Sequence, residues 1–210
     1  MKTLLYFFSL LFILSVHGQH SKFEKAILKG KAMMENSATI SDYANAANYF
    51  ERIAKNEPDQ WLPVYYRAQA NMIIGNKLKG QEQETYYQEA LDQIGEIKNA
   101  DKNAEVLALE GFIQMMRLSA DPGTRGQSLS PVVFGLFRKA INFDNSNPRA
   151  LLFMGQMEYG TAQFFGSSSD KACEYINNAV ALFENKSNES TVYPSWGNSS
   201  AQLSVKNCNQ

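Results

Sequence analysis

Histidine is almost missing from this chain, which holds only His17 and His20. A Ser-His-Asp or Cys-His arrangement needs a histidine held in place by a third group, and zinc sites draw on several His or Cys ligands at close spacing. Cysteine is limited to Cys173 and Cys208, so neither chemistry has its ligands. Glycine-rich phosphate loops are lacking as well. The segment from Asp121 to Gly126 carries turn residues but no Lys-Ser/Thr pair after its glycines, so a phosphate cradle would have no cation. Asp170 and Glu174 share a helix face at i, i+4, a spacing that reads as a solvated pair. No catalytic, metal or cofactor site is expected, and the chain reads as a non-enzyme.

Long apolar runs are also scarce. A membrane helix takes about 20 consecutive apolar residues, and the one candidate, Leu4 to Val16, is shorter and broken by Ser9 and Ser15. It follows Lys2 and ends at Val16-His17-Gly18, with small residues where a signal peptidase needs them. Residues 1–18 therefore read as a signal peptide and Gln19 as the start of the mature chain, which is expected to be periplasmic or secreted without stable membrane insertion. The residue directly after the cleavage point is Gln19 and not a cysteine, so a bacterial lipoprotein anchor is not expected. The formal charge of −1 gives nucleic acid nothing to bind, since such binding needs a basic stripe. The basic clusters at Lys22 to Lys31 and Lys77 to Lys79 are interleaved with acids or apolar residues and read as wet helix faces.

What the chain does have is apolar residues at three- and four-residue spacing between Lys22 and Asn185, with breaks rich in Gly, Asn, Asp, Ser and Pro. That pattern predicts about eight amphipathic helices, at 22–36, 41–56, 60–75, 81–99, 103–118, 130–144, 148–162 and 168–185. No strand pattern stands apart from them. A chain of about 190 residues can bury roughly 70% of its unfolded surface, enough for one continuous core.

The helices pair, and the pairs repeat. Ala46-x3-Phe50 is followed by Ile53 and Pro58; Phe137, Ala140 and Asn145 keep the spacing, as does Ala172-x3-Ile176 with Ala179. In the first helices Leu107 and Gly111 correspond to Leu151, Met154 and Gly155. A small residue is needed where two backbones pass closely, and a large one fills the space beside it. On these residues the chain resembles the tetratricopeptide-repeat family. More narrowly it resembles secreted bacterial members with degenerate repeats, on three strings: Trp61-Leu62-Pro63 with Tyr65-Tyr66, Asn147-Pro148-Arg149 with Met154-Gly155-Gln156, and Tyr193-Pro194-Ser195-Trp196-Gly197. The resemblance implies an all-α fold, an α/α superhelix of about four helix hairpins over residues 19–185. The second hairpin offers only Tyr87 and Ala90, and its register is open by one residue. Gly111 and Gly155 are farther apart than the ideal repeat of about 34 residues, which predicts enlarged hairpin loops at 119–130 and 163–168.

In this family the first helices line the concave side, so repeat position makes Tyr65, Gln69, Phe112, Met115, Gln156 and Tyr159 the groove candidates. Aromatics with amides suit capture of a protein or peptide. The function implied is therefore an exported scaffold or adaptor. The alternative is a small-molecule or substrate carrier of the cell envelope, and a closed apolar cavity would discriminate between them. The polar tail, 186–210, together with Asn185 just before it, contains three Asn-x-Ser sequons, which in a bacterial protein read as a polar loop. Trp196 is costly to leave in water, so Pro194 to Gly197 is expected to fold back and cap the last repeat. Two readings of the cysteines stand. Either Cys173 and Cys208 pair, closing a loop worth about 3–4 kcal/mol, or Cys173 is buried on its helix and Cys208 is a free thiol.

Overall fold

The computed structural model describes residues 22–185 and 191–208. The expected signal segment 1–18 and His20 lie outside the described residues. Among the described residues the regular structure is helical throughout: α1 (22–35), α2 (Ile40–Asn56), α3 (Trp61–Lys77), α4 (Gly80–Gly95), a single 3-10 turn at Ala100–Lys102, α5 (Ala104–Ala120), α6 (Pro122–Phe143), α7 (Pro148–Phe165), α8 (Asp170–Glu184) and α9 (Asn198–Cys208). None is long and apolar enough to cross a membrane.

Helix starts are written in short polar side chains. Thr39 accepts from the Asp42 amide while the Asp42 carboxylate accepts from the Thr39 amide, a reciprocal cap. Asn103, Asp121 and Asn147 cap α5, α6 and α7 by accepting amide protons of the first turn. Gly166 ends α7 in the left-handed region at φ 65°, where a side chain would be strained.

Four hairpins, α1/α2, α3/α4, α5/α6 and α7/α8, share one packing device. In each, a glycine of the first helix receives a large side chain of the second. A Cβ placed on Gly30, Gly75, Gly111 or Gly155 would come within 2.4, 2.7, 2.5 and 2.7 Å of Phe50, Tyr87, Phe137 and Ile176 respectively. The second hairpin's register is thereby set by Tyr87 against Gly75, and the Tyr87 hydroxyl donates to Asn76 Oδ1 at 2.7 Å.

Successive first helices pack directly on each other, α3 on α5 and α5 on α7, while successive second helices make no comparable contact. The stack is therefore tighter on the first-helix side, which makes that side concave.

Two expectations need correction. The predicted loop at 119–130 is mostly helix, because Asp121-Pro122 is a capping residue followed by proline at the first helical position. Proline there loses no hydrogen bond that a helix would otherwise make. The wide Gly111 to Gly155 spacing thus arises from the 22-residue length of α6 and not from an enlarged loop. Nor is 163–168 a long connection, since α7 runs to Phe165 and α8 begins at Asp170.

Candidate functional site

The concave face is built from α1, α3, α5 and α7, and the C-terminal segment lies across it. Residues 191–197 form a strap that begins beside α1 and α3, crosses α5 and reaches α7, where α9 begins. Lys31 Nζ donates to the carbonyls of Thr191 at 2.5 Å and Tyr193 at 2.8 Å. The Tyr66 hydroxyl donates to the Val192 carbonyl at 2.8 Å, and Arg149 donates to the Trp196 carbonyl at 2.8 Å. These side chains grip main-chain oxygens, so the strap is held by its backbone.

Its one large apolar anchor is Trp196. The indole lies 5.5 Å from the Phe153 ring and 5.7 Å from that of Phe112, centroid to centroid, and those two phenyl rings stack at 4.2 Å. The indole N–H donates to the Tyr65 hydroxyl at 2.9 Å, and the Arg149 guanidinium sits 5.8 Å from the indole centre. Toward α1 the aromatic floor continues through Tyr65, Tyr66 and Phe50, with Trp61 beside Tyr193.

Beneath the strap lies a buried ion pair. Arg149 is 0% exposed; its Nε donates to Glu105 at 2.6 Å and its Nη2 to the other oxygen of the same carboxylate. Such a two-pronged match suits the planar guanidinium. Burial works to lower the Arg149 pKa, but the hydrogen bonds and charge of Glu105 outweigh it and hold the group above its ordinary value. Lys31 moves the other way: burial pulls its pKa down, Glu35 opposes this and the Arg149 charge adds to it. At 9% exposure Lys31 is not on a wet helix face, contrary to the expectation from its basic neighbours. Burial pushes the Tyr65 and Tyr66 hydroxyls far above their ordinary pKa, so they act as neutral hydrogen-bonding groups.

The groove candidates fall into three situations. Tyr65, Gln69 and Met115 are buried, and Tyr65 is covered by the strap. Phe112 is half-buried under Trp196, and Gln156 donates to the Ser200 and Ser204 hydroxyls of α9 at 3.0 and 2.9 Å. Tyr159 is half-buried, one turn beyond Gln156. Cys173 and Cys208 are joined by a disulfide, with Cα atoms 5.5 Å apart, which pins the end of α9 to the start of α8.

Comparison with known proteins places this architecture. The HusA haemophore from Porphyromonas gingivalis is similar over 88% of this chain and 91% of its own, with 24% identity and a TM-score of 0.67. The fold is tetratricopeptide-like. MamA structures align more loosely: the MamA RS-1 ArsTM double mutant at 16% identity over 84% of each chain with a TM-score of 0.47, and MamA at 14% over 68% of this chain and 69% of its own with 0.44. No protein-family profile and no curated protein sequence matches the chain.

On the opposite side of this tetratricopeptide-like stack, α2, α3 and α4 enclose a polar cleft of about 430 Å3 lined by Asn48, Glu51, Arg67, Asn71, Glu89 and Glu96 among others. Arg67 pairs with Glu96 at 2.6 Å, while Arg67 Nε and Gln93 Oε1 are buried there without a partner. No group of three or more His, Cys, Asp or Glu among the described residues is arranged to hold a metal ion.

Sequence reasoning missed Arg149, Glu105, Lys31 and Tyr66. The string Asn147-Pro148-Arg149 placed an arginine at the start of a first helix, and a charge among apolar residues was the available signal. Nothing in the sequence paired it with Glu105, 44 positions away.

Proposed function

We propose that the chain is an exported, non-catalytic carrier of a flat, apolar small molecule of the haem class, held on the concave face of a tetratricopeptide-like stack. The observation that supports this most is the aromatic seat of Trp196. A single ring system rests there against the stacked Phe112 and Phe153 pair, with Arg149 beside it. A flat ring system fits the place that the indole holds, once the strap lifts from the face. The fold shared with a haemophore supports haem as the first probe. Phe112, Tyr65 and Tyr159 are the proposed contacts, with Gln69, Met115 and Gln156 shaping the surface around them.

Absorbance titration of the purified protein with haemin tests this reading. The expected result is a saturable shift of the porphyrin band at one ligand per chain, weakened about tenfold by Phe112→Ala. Linear, non-saturating uptake equal to that of an unrelated helical protein would remove it. A second reading, an adaptor for a protein or peptide, is favoured by one observation: the concave face already holds an irregular segment by its main-chain oxygens. Affinity capture from the cell envelope decides that reading. It requires a partner retained by the native protein and lost on Tyr159→Ala; the same proteins recovered with both would end it.

A further inference from the structure

Resting on the carrier reading, we propose that residues 191–197 are a displaceable self-ligand, and that the molecule that replaces them is a planar aromatic acid. Its rings take the place of the Trp196 indole against the stacked Phe112 and Phe153 pair, and its acid groups take the donors of Lys31 and Arg149 now directed at strap carbonyls.

The chemistry of the grip supports an exchange. Every hydrogen bond that α1, α3 and α7 donate to the strap ends on a carbonyl oxygen, so any acceptor at the same place can substitute; among the described residues the strap donates only through its indole, to the Tyr65 hydroxyl. Lys31 is the clearest case. Its ammonium is nearly buried and bonded to two neutral carbonyls, and it is in no ion pair among the described residues. A carboxylate would add the attraction between two opposite unit charges, which a neutral carbonyl lacks, so it satisfies this cation better than the strap does. Arg149 keeps Glu105 on Nε and Nη2 in either state and offers only Nη1. The indole, for its part, is a flat π-system stacked near Phe153 at 30°, a geometry another flat ring system can adopt.

The fold also lets the strap leave alone. Beyond it, α9 is held by the disulfide to α8, by the buried Ala201 and by the bonds from Gln156, none of which involves residues 191–197. Between strap and helix stands Gly197 at φ 107°, a backbone conformation that other residues rarely adopt and a natural pivot. A Cβ there would also meet Phe183 at 2.9 Å.

The test uses metal-free protoporphyrin IX, so that no metal coordination contributes, with the full chain and the variants Trp196→Ala and Tyr66→Phe. Trp196→Ala uncovers the Phe112 and Phe153 pair, whereas Tyr66→Phe removes only the hydroxyl that holds Val192, and it keeps the question answerable if the first variant fails to fold. Expected are porphyrin affinities about tenfold higher for Trp196→Ala and a few-fold higher for Tyr66→Phe, and faster hydrogen exchange at 191–197 when the native protein is saturated. The porphyrin dimethyl ester should bind about tenfold more weakly than the free acid. If the native protein binds porphyrin while exchange at the strap is unchanged and both variants bind no tighter, displacement is overturned and the carrier reading stands. Equal affinity for acid and ester overturns the acid requirement. If no form of the protein binds porphyrin or haemin, the carrier reading falls and displacement with it.

Discussion

The two faces of the stack handle buried polarity in opposite ways. On the concave face Arg149 has four hydrogen-bonding contacts or neighbours of complementary character: Glu105 through two nitrogens, the Trp196 carbonyl and the faces of Trp196 and Phe183. On the convex face Arg67 reaches one carboxylate that is 54% exposed, and its Nε and the neighbouring Gln93 Oε1 are left without protein partners. The first arrangement is closed by the chain's own tail; the second is open to water only at its carboxylate, where water screens the pair. A charge therefore matters structurally here in proportion to what covers it, and the cover on the concave side is a segment 47 positions further along the chain.

Breaking the comparison at its strongest point gives the largest effect. Arg149→Met should leave Glu105 and the Trp196 carbonyl without their donor beneath the strap, at a cost of about 3–5 kcal/mol, read from urea unfolding. A loss below that of a surface substitution would mean that the ion pair is not closed off from water. Next comes Gly111→Ala, which sets a methyl against the Phe137 ring; overpacking of this kind costs about 1–3 kcal/mol, whereas Gly95→Ala, where a Cβ meets nothing, should not destabilise. Equal melting temperatures for the two would refute the seam. An acid titration lies between the faces. For Glu84, burial works to raise the pKa, but Arg117 and Arg125 outweigh it and hold the carboxyl below its ordinary value. Its contribution is therefore fully present above the unfolded-state pKa and is lost as pH falls through the lower folded value. Glu84→Gln should flatten the acid limb of the stability curve, and an unchanged limb would remove this pair from the account. The smallest effect is expected from Arg67→Met, at most about 1 kcal/mol given the exposure of Glu96.

Much of the hairpin stack was legible in the sequence, because the same glycine and large side chain recur wherever first and second helices touch. Phe137 and Ile176 were identified from their spacing. Gly30 and Gly75 were not, since α1 lacks the other first-helix consensus residues, although α2 carries Ala46 and Phe50, and Tyr87 sits only twelve positions after its glycine. The start of α6 was misjudged because Asp-Pro-Gly serves equally as a turn and as a cap, and what decides is tertiary: Arg125 reaches Glu84 of α4 and the Arg117 carbonyl. The strap was visible only as the expense of leaving an indole in water. Its path depends on contacts separated by 126 to 162 positions, which no local periodicity encodes. The aromatic floor was half seen, as Tyr65 and Phe112, while the cations that hold the strap looked like ordinary helix polarity.

The bond between Cys173 and Cys208 makes a ring of the chain's last section, with the strap as part of its circumference. A protease that cuts once between these cysteines opens the ring but sheds no fragment. The cut protein would run as one species on a denaturing gel without reductant and as two with it, and the severed strap would remain tethered next to the face it had covered.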